Sequence, residues 1–250
     1  MVTCTVSVAV LVFLPLAEML TGSSPQLLWE TLQDKDVRAP IGLSLYASGL
    51  AALVSLVLGT PFAYLLARRD FPGKKLLESA VDLPIMIPHP VIGIAILSVA
   101  GAGHPVGDLL GFLGVKIMGT VTGLVTVLTF VGLPFHVNAV RTGFAAVPER
   151  MENVSRSLGA GLTATFFRIT LPLCWRSILV GQIMCLARAI SEFGAVVIVA
   201  YHPMTAPVMI YERFTAYGLK YSMPVAVWLI VACLVLFLLL RLVAGGRGAK

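Results

Sequence analysis

The one long polar interruption in this apolar chain is residues 148–172, which read PERMENVSRSLGAGLTATFFRITLP. Pro148 suits the first turn of a helix, and acidic residues follow it where the positive end of a helix dipole favours them. Gly159 suits the end of the same helix, because glycine readily adopts the left-handed conformation found there. The stretch therefore predicts a short helix between two apolar segments.

This predicted helix has two unlike faces. One face carries Met151, Val154, Ser155 and Leu158, and the opposite face carries Arg150, Asn153 and Arg156. Such a pattern is typical of a helix that buries one side and keeps the other in water. A second short turn is expected after Gly159, with Thr163 as its cap and Pro172 as its end.

The order of an acid, a small residue, Gly159 and then Ile-x-Leu-Pro at 169–172 resembles the cytoplasmic EAA loop of ABC importer permeases. In that family the two short helices dock into a groove on the ATPase subunit. The positions of the family's pair of small residues are occupied by Val154 and Ser155 in this chain. The position of the family's acidic residue corresponds to Asn153 or, one residue earlier, to Glu152. The resemblance implies a coupling loop formed by Glu149, Glu152, Asn153, Val154, Ser155, Gly159, Ile169, Leu171 and Pro172. The alternative is an amphipathic hairpin that lies on lipid headgroups.

Composition identifies the class of protein. Apolar residues make up 58% of the chain, charged residues make up 12%, and the mean hydropathy is +0.95. These values are typical of an integral membrane protein. The four cysteines show no C-x-x-C spacing, which argues against a disulfide framework or a zinc site. The net charge of +6 is dispersed over the loops and forms no basic stripe, so nucleic acid is not an expected partner.

The hydropathy pattern predicts an all-α membrane protein with six transmembrane helices in a single permease domain, residues 1–250, whose core is 41–243. The first helix is taken as retained because no basic residue precedes it. The second is expected to be interrupted at Gly59-Thr60-Pro61. Residues 21–40, 101–119 and 201–223 are interpreted as loops. Five spans are predicted at 2–20, 41–67, 120–138, 174–200 and 224–243. The third of the six is a broken segment that begins after Pro84.

This third segment is too short for a plain transmembrane helix. Prolines 84, 88 and 90 break its start, and the apolar run 91–102 covers only about 18 Å at about 1.5 Å per residue. A hydrocarbon core of about 30 Å then requires irregular backbone, which favours a position beside a pathway. Residues 83–95, LPIMIPHPVIGIA, also resemble the third-segment motif of molybdate, tungstate and sulfate permeases. His89 is a gate candidate, although we favour an interfacial role.

Basic residues predict the orientation. Twelve of the 18 Lys and Arg residues lie in 68–82, in 139–176 and in the C-terminal end from Arg241 onward, and five lie in the loops of the opposite side. Positively charged loops stay in the cytoplasm. Both termini and the coupling loop, between spans four and five, are therefore expected to be cytoplasmic.

Arg188 and Glu192 form the one ionisable pair inside a predicted span, and their separation of four places them on one helix face. Residues 187–195, ARAISEFGA, resemble the fifth-helix signature of molybdate and sulfate permeases, with Ser191 where glycine is usual. Either Arg188 attracts anions, or the pair stabilises helix packing. We favour the structural pair, because a strong anion site would hinder release. The pathway or gate candidates are Pro88, His89, Gly93, Arg188, Ser191 and Glu192.

The sequence contains no G-x-x-x-x-G-K-[ST] motif, so a P-loop ATPase site is not expected in this chain. The resemblances together imply the permease subunit of an ABC importer for a tetrahedral oxyanion, molybdate or tungstate, in a prokaryotic plasma membrane. They also imply a second copy of the chain, two ATPase subunits that bind the ATP and Mg, and an extracytoplasmic oxyanion-binding protein. No cofactor is expected in the chain itself.

Three other functions remain open. The first is a sulfate or thiosulfate permease of the same class. The second is an ion-coupled secondary transporter in which Arg188 and Glu192 carry the coupling ion. The third is an intramembrane serine protease, which requires a serine and a histidine that face each other within the membrane. Ser98 and Ser191 are available, but the histidines are expected near span ends or in loops.

Overall fold

The computed structural model describes residues 2–245, with side chains described for 5–242. The C-terminal tail with Arg247 and Lys250, predicted to be cytoplasmic, therefore lies mostly outside the described residues. Within 2–245 the chain forms only helices and connecting turns. They are α1 Val2–Thr21, α2 Pro25–Gln33, α3 Lys35–Arg68, α4 Lys74–Met86, α5 His89–Ala100, α6 Pro105–Phe112, α7 Val121–Ala146, α8 Glu149–Ser157, α9 Leu162–Thr165, a π-helical turn Phe166–Thr170, α10 Leu171–Ile190, α11 Gly194–Val199, α12 Ala206–Tyr217 and α13 Leu219–Gly245.

Four helical segments among the described residues are long and apolar enough to cross a membrane: Lys35–Arg68, Val121–Ala146, Leu162–Ile190 and Leu219–Leu242. Two further pairs meet the same criteria together but bend sharply. The bend is 77° between α1 and α2 and 118° between α4 and α5. The number of spans is thus four to six, depending on whether each bent pair crosses the membrane.

The chain divides into two compact units. One unit combines the N-terminal residues up to Ser44 with Met204–Leu236. In it, Arg213 forms a 3.1 Å ion pair with Asp34, and the indole of Trp228 donates to the Leu28 carbonyl at 2.9 Å. A small apolar cluster of Val37, Met209 and Val225 lies buried in this unit.

The other unit contains Leu45–Pro203 and the chain from Phe237 onward. Here α7 and α10 pack closely because glycines face their partners. A Cβ at Gly143 would lie 2.2 Å from Ser177 Cβ, and one at Gly132 would lie 2.7 Å from Cys185 Sγ. Small residues let helix backbones approach in a membrane, where dispersion contacts provide much of the association energy. A buried cluster with Leu66, Val140 and Phe144 continues this packing towards α3.

Three of the predicted loops contain helices that begin at proline. Pro25 follows the cap Ser24, whose hydroxyl accepts from Leu27 N at 3.3 Å, and Pro105 begins α6. Pro207 lies in the first turn of α12. Proline lacks only an N–H that the first helical turn leaves unpaired, so it starts these helices. The interpretation of 21–40, 101–119 and 201–223 as loops was therefore wrong where these helices lie.

Two predictions about the continuity of the spans are also wrong. α3 is continuous through Gly59-Thr60-Pro61, where glycine admits the side chains of α7: a Cβ at Gly59 would lie 2.9 Å from His136 Cδ2. The predicted fifth span is instead broken, since α10 ends at Ile190 and α11 begins at Gly194.

The predicted second turn of the coupling loop differs in both its cap and its end. α9 begins at Leu162 after Gly161, so Thr163 lies within the helix. Pro172 does not end it, because the helix continues into α10 through the π-helical turn. There Leu171 N donates to Phe166 O, five residues back. This wider turn accommodates a proline ring that would otherwise clash with the carbonyl of Arg168.

Candidate functional site

The coupling loop is a helix α8, a glycine turn and the start of the long helix that becomes α10. Gly159 has φ +91°, and its N–H donates to the Arg156 carbonyl at 3.0 Å. Its role as the stop after α8 is confirmed. Ser155 and Thr165 then join the two arms of the loop through a 3.2 Å hydroxyl contact.

Most residues predicted to contact a partner lie at the surface of this loop. Exposed members are Glu149, Asn153, Val154, Gly159 and Pro172, while Ser155, Ile169 and Leu171 are half-buried. The side chains of Met151, Val154 and Leu158 are 45%, 51% and 84% exposed. Together with Ala164 and Ile169 they line an open apolar cleft of about 570 Å³. Clefts of this size and polarity are typical binding sites.

Glu152 is the exception among the predicted contact residues. Its side chain is only 11% exposed and accepts from Arg68 at 2.9 Å through Nε and 2.8 Å through Nη2. The Thr170 hydroxyl donates to the same oxygen at 3.0 Å, and the Tyr64 hydroxyl donates to the other oxygen at 3.1 Å. Glu152 therefore contacts its own chain, and its carboxylate is not free to meet a partner.

The second group of candidates gathers where two helices break. Arg188 Nη2 donates to Glu192 Oε2 at 2.7 Å and lies 2.8 Å from both ring nitrogens of His89. His89 Nδ1 lies 3.1 Å from Glu192 Oε2. The predicted pair is thus present, but not on a single helix face, since Glu192 lies beyond the end of α10. His89 is a member of this cluster rather than an isolated interfacial residue.

Glu192 also holds the broken helix together. Its side chain is 1% exposed, and its Oε1 accepts from Ala195 N at 2.8 Å, which caps α11. α5 packs tightly on this short helix. A Cβ at Gly93 would lie 2.8 Å from Ile198 Cβ, and one at Gly194 would lie 2.9 Å from His89 Cβ.

The two remaining pathway candidates lie beside these contacts. Ser191 is exposed, and its hydroxyl donates to the Arg188 carbonyl at 3.1 Å. Pro88 is exposed at the 118° bend, where it precedes α5. The structure brings His89, Arg188, Ser191 and Glu192 together in one polar cluster. Whether this cluster lines a transport pathway stays a prediction.

Comparison with known proteins identifies the family. The model for "Binding-protein-dependent transport system inner membrane component" matches residues 59–246. This chain belongs to that family. The molybdate/tungstate transport system permease protein WtpB of Methanocaldococcus jannaschii is 44% identical over 245 residues, which cover 97% of this chain and 95% of that protein. The "Probable sulfate transport system permease protein cysT" of Nephroselmis olivacea is 32% identical over 92% of this chain and 82% of that protein.

The fold of this inner membrane component is also that of a solved transporter. The crystal structure of a bacterial ABC transporter involved in the import of alginate gives a TM-score of 0.76 at 15% identity, and the match covers 99% of this chain and 94% of that chain. At this low identity the likeness concerns the fold alone. Family and apolar helices together make the chain a multi-pass protein of a prokaryotic plasma membrane.

Sequence reasoning missed a buried polar network in this membrane component. His136 is fully buried in the middle of α7, although it was expected near a span end. Its Nδ1 accepts from Gln182 Nε2 at 2.9 Å, so its Nε2–H donates to Thr60 Oγ1 at 3.0 Å. The network joins α3, α7 and α10. A histidine among β-branched and apolar residues was the one available signal.

The protease alternative finds no support in the described residues. The Ser98 hydroxyl donates to the Ala95 carbonyl, and the Ser191 hydroxyl donates to the Arg188 carbonyl. The His136 ring is hydrogen-bonded to Thr60 and Gln182. Within 5–242, neither serine has the histidine partner that would activate it as a nucleophile.

Proposed function

We propose that this chain is the permease subunit of an ATP-driven importer that carries a tetrahedral oxyanion, molybdate or tungstate, into the cytoplasm. The observation that carries the proposal is the near full-length match to the Methanocaldococcus jannaschii protein of that name. The Nephroselmis olivacea relative favours sulfate as the second candidate substrate. We propose a class of substrate, the tetrahedral oxyanions, because relatives of both names align over most of the chain.

The coupling loop supplies the proposed contact with an ATPase subunit. The apolar side chains of α8 lie open, and burying a side chain such as Leu158 or Val154 contributes about 1.5–3 kcal/mol. We propose that each of two copies of the chain seats this loop on one ATPase subunit, which binds the ATP and Mg. The loop and both termini are then cytoplasmic, each bent helix pair counts as one of six spans, and an oxyanion-binding protein docks on the opposite side.

Transport would proceed by alternating access. The helix from Leu162 to Ile190 is 29 residues long, about 43 Å at about 1.5 Å per residue, and joins the coupling loop to the Arg188 cluster. Closure of the ATPase pair would move α8, and this long helix would carry the movement to the break at Ser191. The shift in population between inward-open and outward-open states is what ATP would supply.

The test is uptake in proteoliposomes that hold the chain with its ATPase subunit, with binding protein added outside. We expect labelled molybdate to accumulate only with internal ATP, with tungstate as a strong competitor. Stronger competition by sulfate would favour the second candidate substrate. Uptake by the chain alone in an ion gradient would instead favour an ion-coupled transporter. The purified chain alone is expected to hydrolyse no ATP, and such hydrolysis would contradict the proposal.

A further inference from the structure

We infer that Glu152 is a positioning residue, which fixes the coupling helix α8 to the transmembrane helices through Arg68 and does not itself contact the ATPase subunit. The inference rests on the proposed function, because it concerns how a movement of α8 reaches the membrane. It assigns one member of the predicted contact set to a different role.

Burial separates Glu152 from its neighbours on α8. The residues on either side, Met151 and Asn153, are exposed, whereas Glu152 is buried, with 11% of its side chain exposed. The Arg68 side chain is similarly enclosed, with 8% of it exposed. A buried carboxylate requires charge pairing and several hydrogen bonds, and Glu152 has four donor contacts from three residues.

These contacts join several elements at one carboxylate. Arg68 is the last residue of α3, and its Nη2 also donates to the Val147 carbonyl at 2.9 Å, just beyond α7. Thr170 is fully buried and is the last residue of the π-helical turn, immediately before α10. A displacement of α8 therefore strains bonds to α3, to the end of α7 and to α10 at the same time.

An aromatic cluster stiffens the same point. The ring of Tyr64, which donates to Glu152, packs edge-on against Phe144 at 5.3 Å and against Phe166 at 5.0 Å between ring centroids. Phe144 belongs to α7 and Phe166 to the π-helical turn. Close-packed interiors transmit strain, so this joint is suited to pass a movement of α8 into the membrane helices.

The test compares two single variants, Glu152→Ala and Arg68→Ala, with one double variant. The double variant combines Arg68→Glu and Glu152→Arg and so exchanges the two partners. Asp70→Asn is the matched control, because the Asp70 carboxylate also pairs with a basic residue, Lys74 at 2.8 Å, yet is 97% exposed. Each variant is reconstituted with the ATPase subunit and binding protein. The readouts are the number of ATP molecules hydrolysed per oxyanion carried, co-purification of the ATPase subunit and the unfolding midpoint in detergent.

We expect both single variants to raise the ATP-to-oxyanion ratio about tenfold. Each variant leaves one buried charge unpaired, which weakens the attachment of α8 to the transmembrane helices. The double exchange should recover much of the loss, and Asp70→Asn should behave as the unmodified chain. Only folded, active protein contributes to the ATP-to-oxyanion ratio, so a loss of folded protein alone does not alter this ratio. A variant that does not fold is judged by the double exchange, which restores the pair.

Two results would overturn the inference. One is an unchanged ratio in Glu152→Ala. The other is failure of the double exchange to recover while Arg68→Ala remains normal, which would mean that Glu152 acts on the ATPase subunit directly. If the unmodified chain carries no oxyanion in the same experiment, the proposed function fails, and the inference fails with it.

Discussion

Arg188 and Glu192 form a 2.7 Å ion pair across the end of a helix, because the helix that carries Arg188 ends at Ile190 and Glu192 caps the next one. The carboxylate is 1% exposed and the guanidinium side chain is 20% exposed. Since Glu192 neutralises Arg188, the pair offers a passing anion little net charge. This geometry favours a structural role over an anion site.

The first prediction separates these two roles. Arg188→Ala leaves a buried carboxylate without its partner, and Glu192→Ala leaves a guanidinium without its own. Each is expected to destabilise the protein by about 3–5 kcal/mol, whereas Arg188→Met combined with Glu192→Met should recover much of the loss. Unfolding midpoints in detergent and uptake in proteoliposomes measure the two effects. A stable double variant that carries no oxyanion would show that Arg188 attracts the substrate.

His89 provides a graded comparison within the same cluster. Its side chain is 39% exposed, and its contacts are hydrogen bonds to a pair that is already neutral. His89→Ala is therefore expected to destabilise the protein by about 1 kcal/mol, less than removal of either ion-pair member. His89→Gln, which keeps a hydrogen-bonding group, should have a smaller effect. The measurement is the unfolding midpoint, and a loss as large as that of Glu192→Ala would contradict this ranking.

Local features of the sequence predicted much of this architecture. The membrane class follows from composition, the bend before α5 follows from Pro88 and Pro90, and the glycine turn after α8 follows from Gly159 itself. Each depends on residues close together in the chain. Proline was nevertheless misjudged at several positions, because α4 continues through Pro84 to Met86 and the helices that begin at Pro25 and Pro105 were missed.

Contacts between distant residues could not be predicted in this way. Arg68 and Glu152 are 84 positions apart, and His136 and Gln182 are 46 apart. A basic residue at the end of a span was explained by membrane topology alone, which says nothing about its partner. The pairing arises only when α3, α7 and α10 pack together.

The packing of α7 against α10 gives the third prediction. A Cβ at Gly143 would lie 2.2 Å from Ser177 Cβ and 2.4 Å from its hydroxyl, so the helices must move apart to admit it. Gly143→Ala is expected to destabilise the protein by about 1–3 kcal/mol. Gly49→Ala in α3 is the control, because no atom lies within 4 Å of a Cβ there. Equal unfolding midpoints for the two variants would contradict the prediction.

The last prediction concerns Gly159, whose φ of +91° places it in the left-handed region at the turn between α8 and α9. In Gly159→Leu the added Cβ meets no atom beyond the adjoining residues, since none lies within 4 Å of its position. Its effect is therefore a backbone effect of about 1–2 kcal/mol, which favours a different turn and redirects the second arm of the coupling loop. ATP hydrolysis should continue while oxyanion uptake falls. Gly161→Leu is the matched control, because Gly161 has a negative φ of −69° and an equally open Cβ position. If both variants transport at the rate of the unmodified chain, the left-handed conformation at Gly159 does not determine the direction of the second arm of the coupling loop.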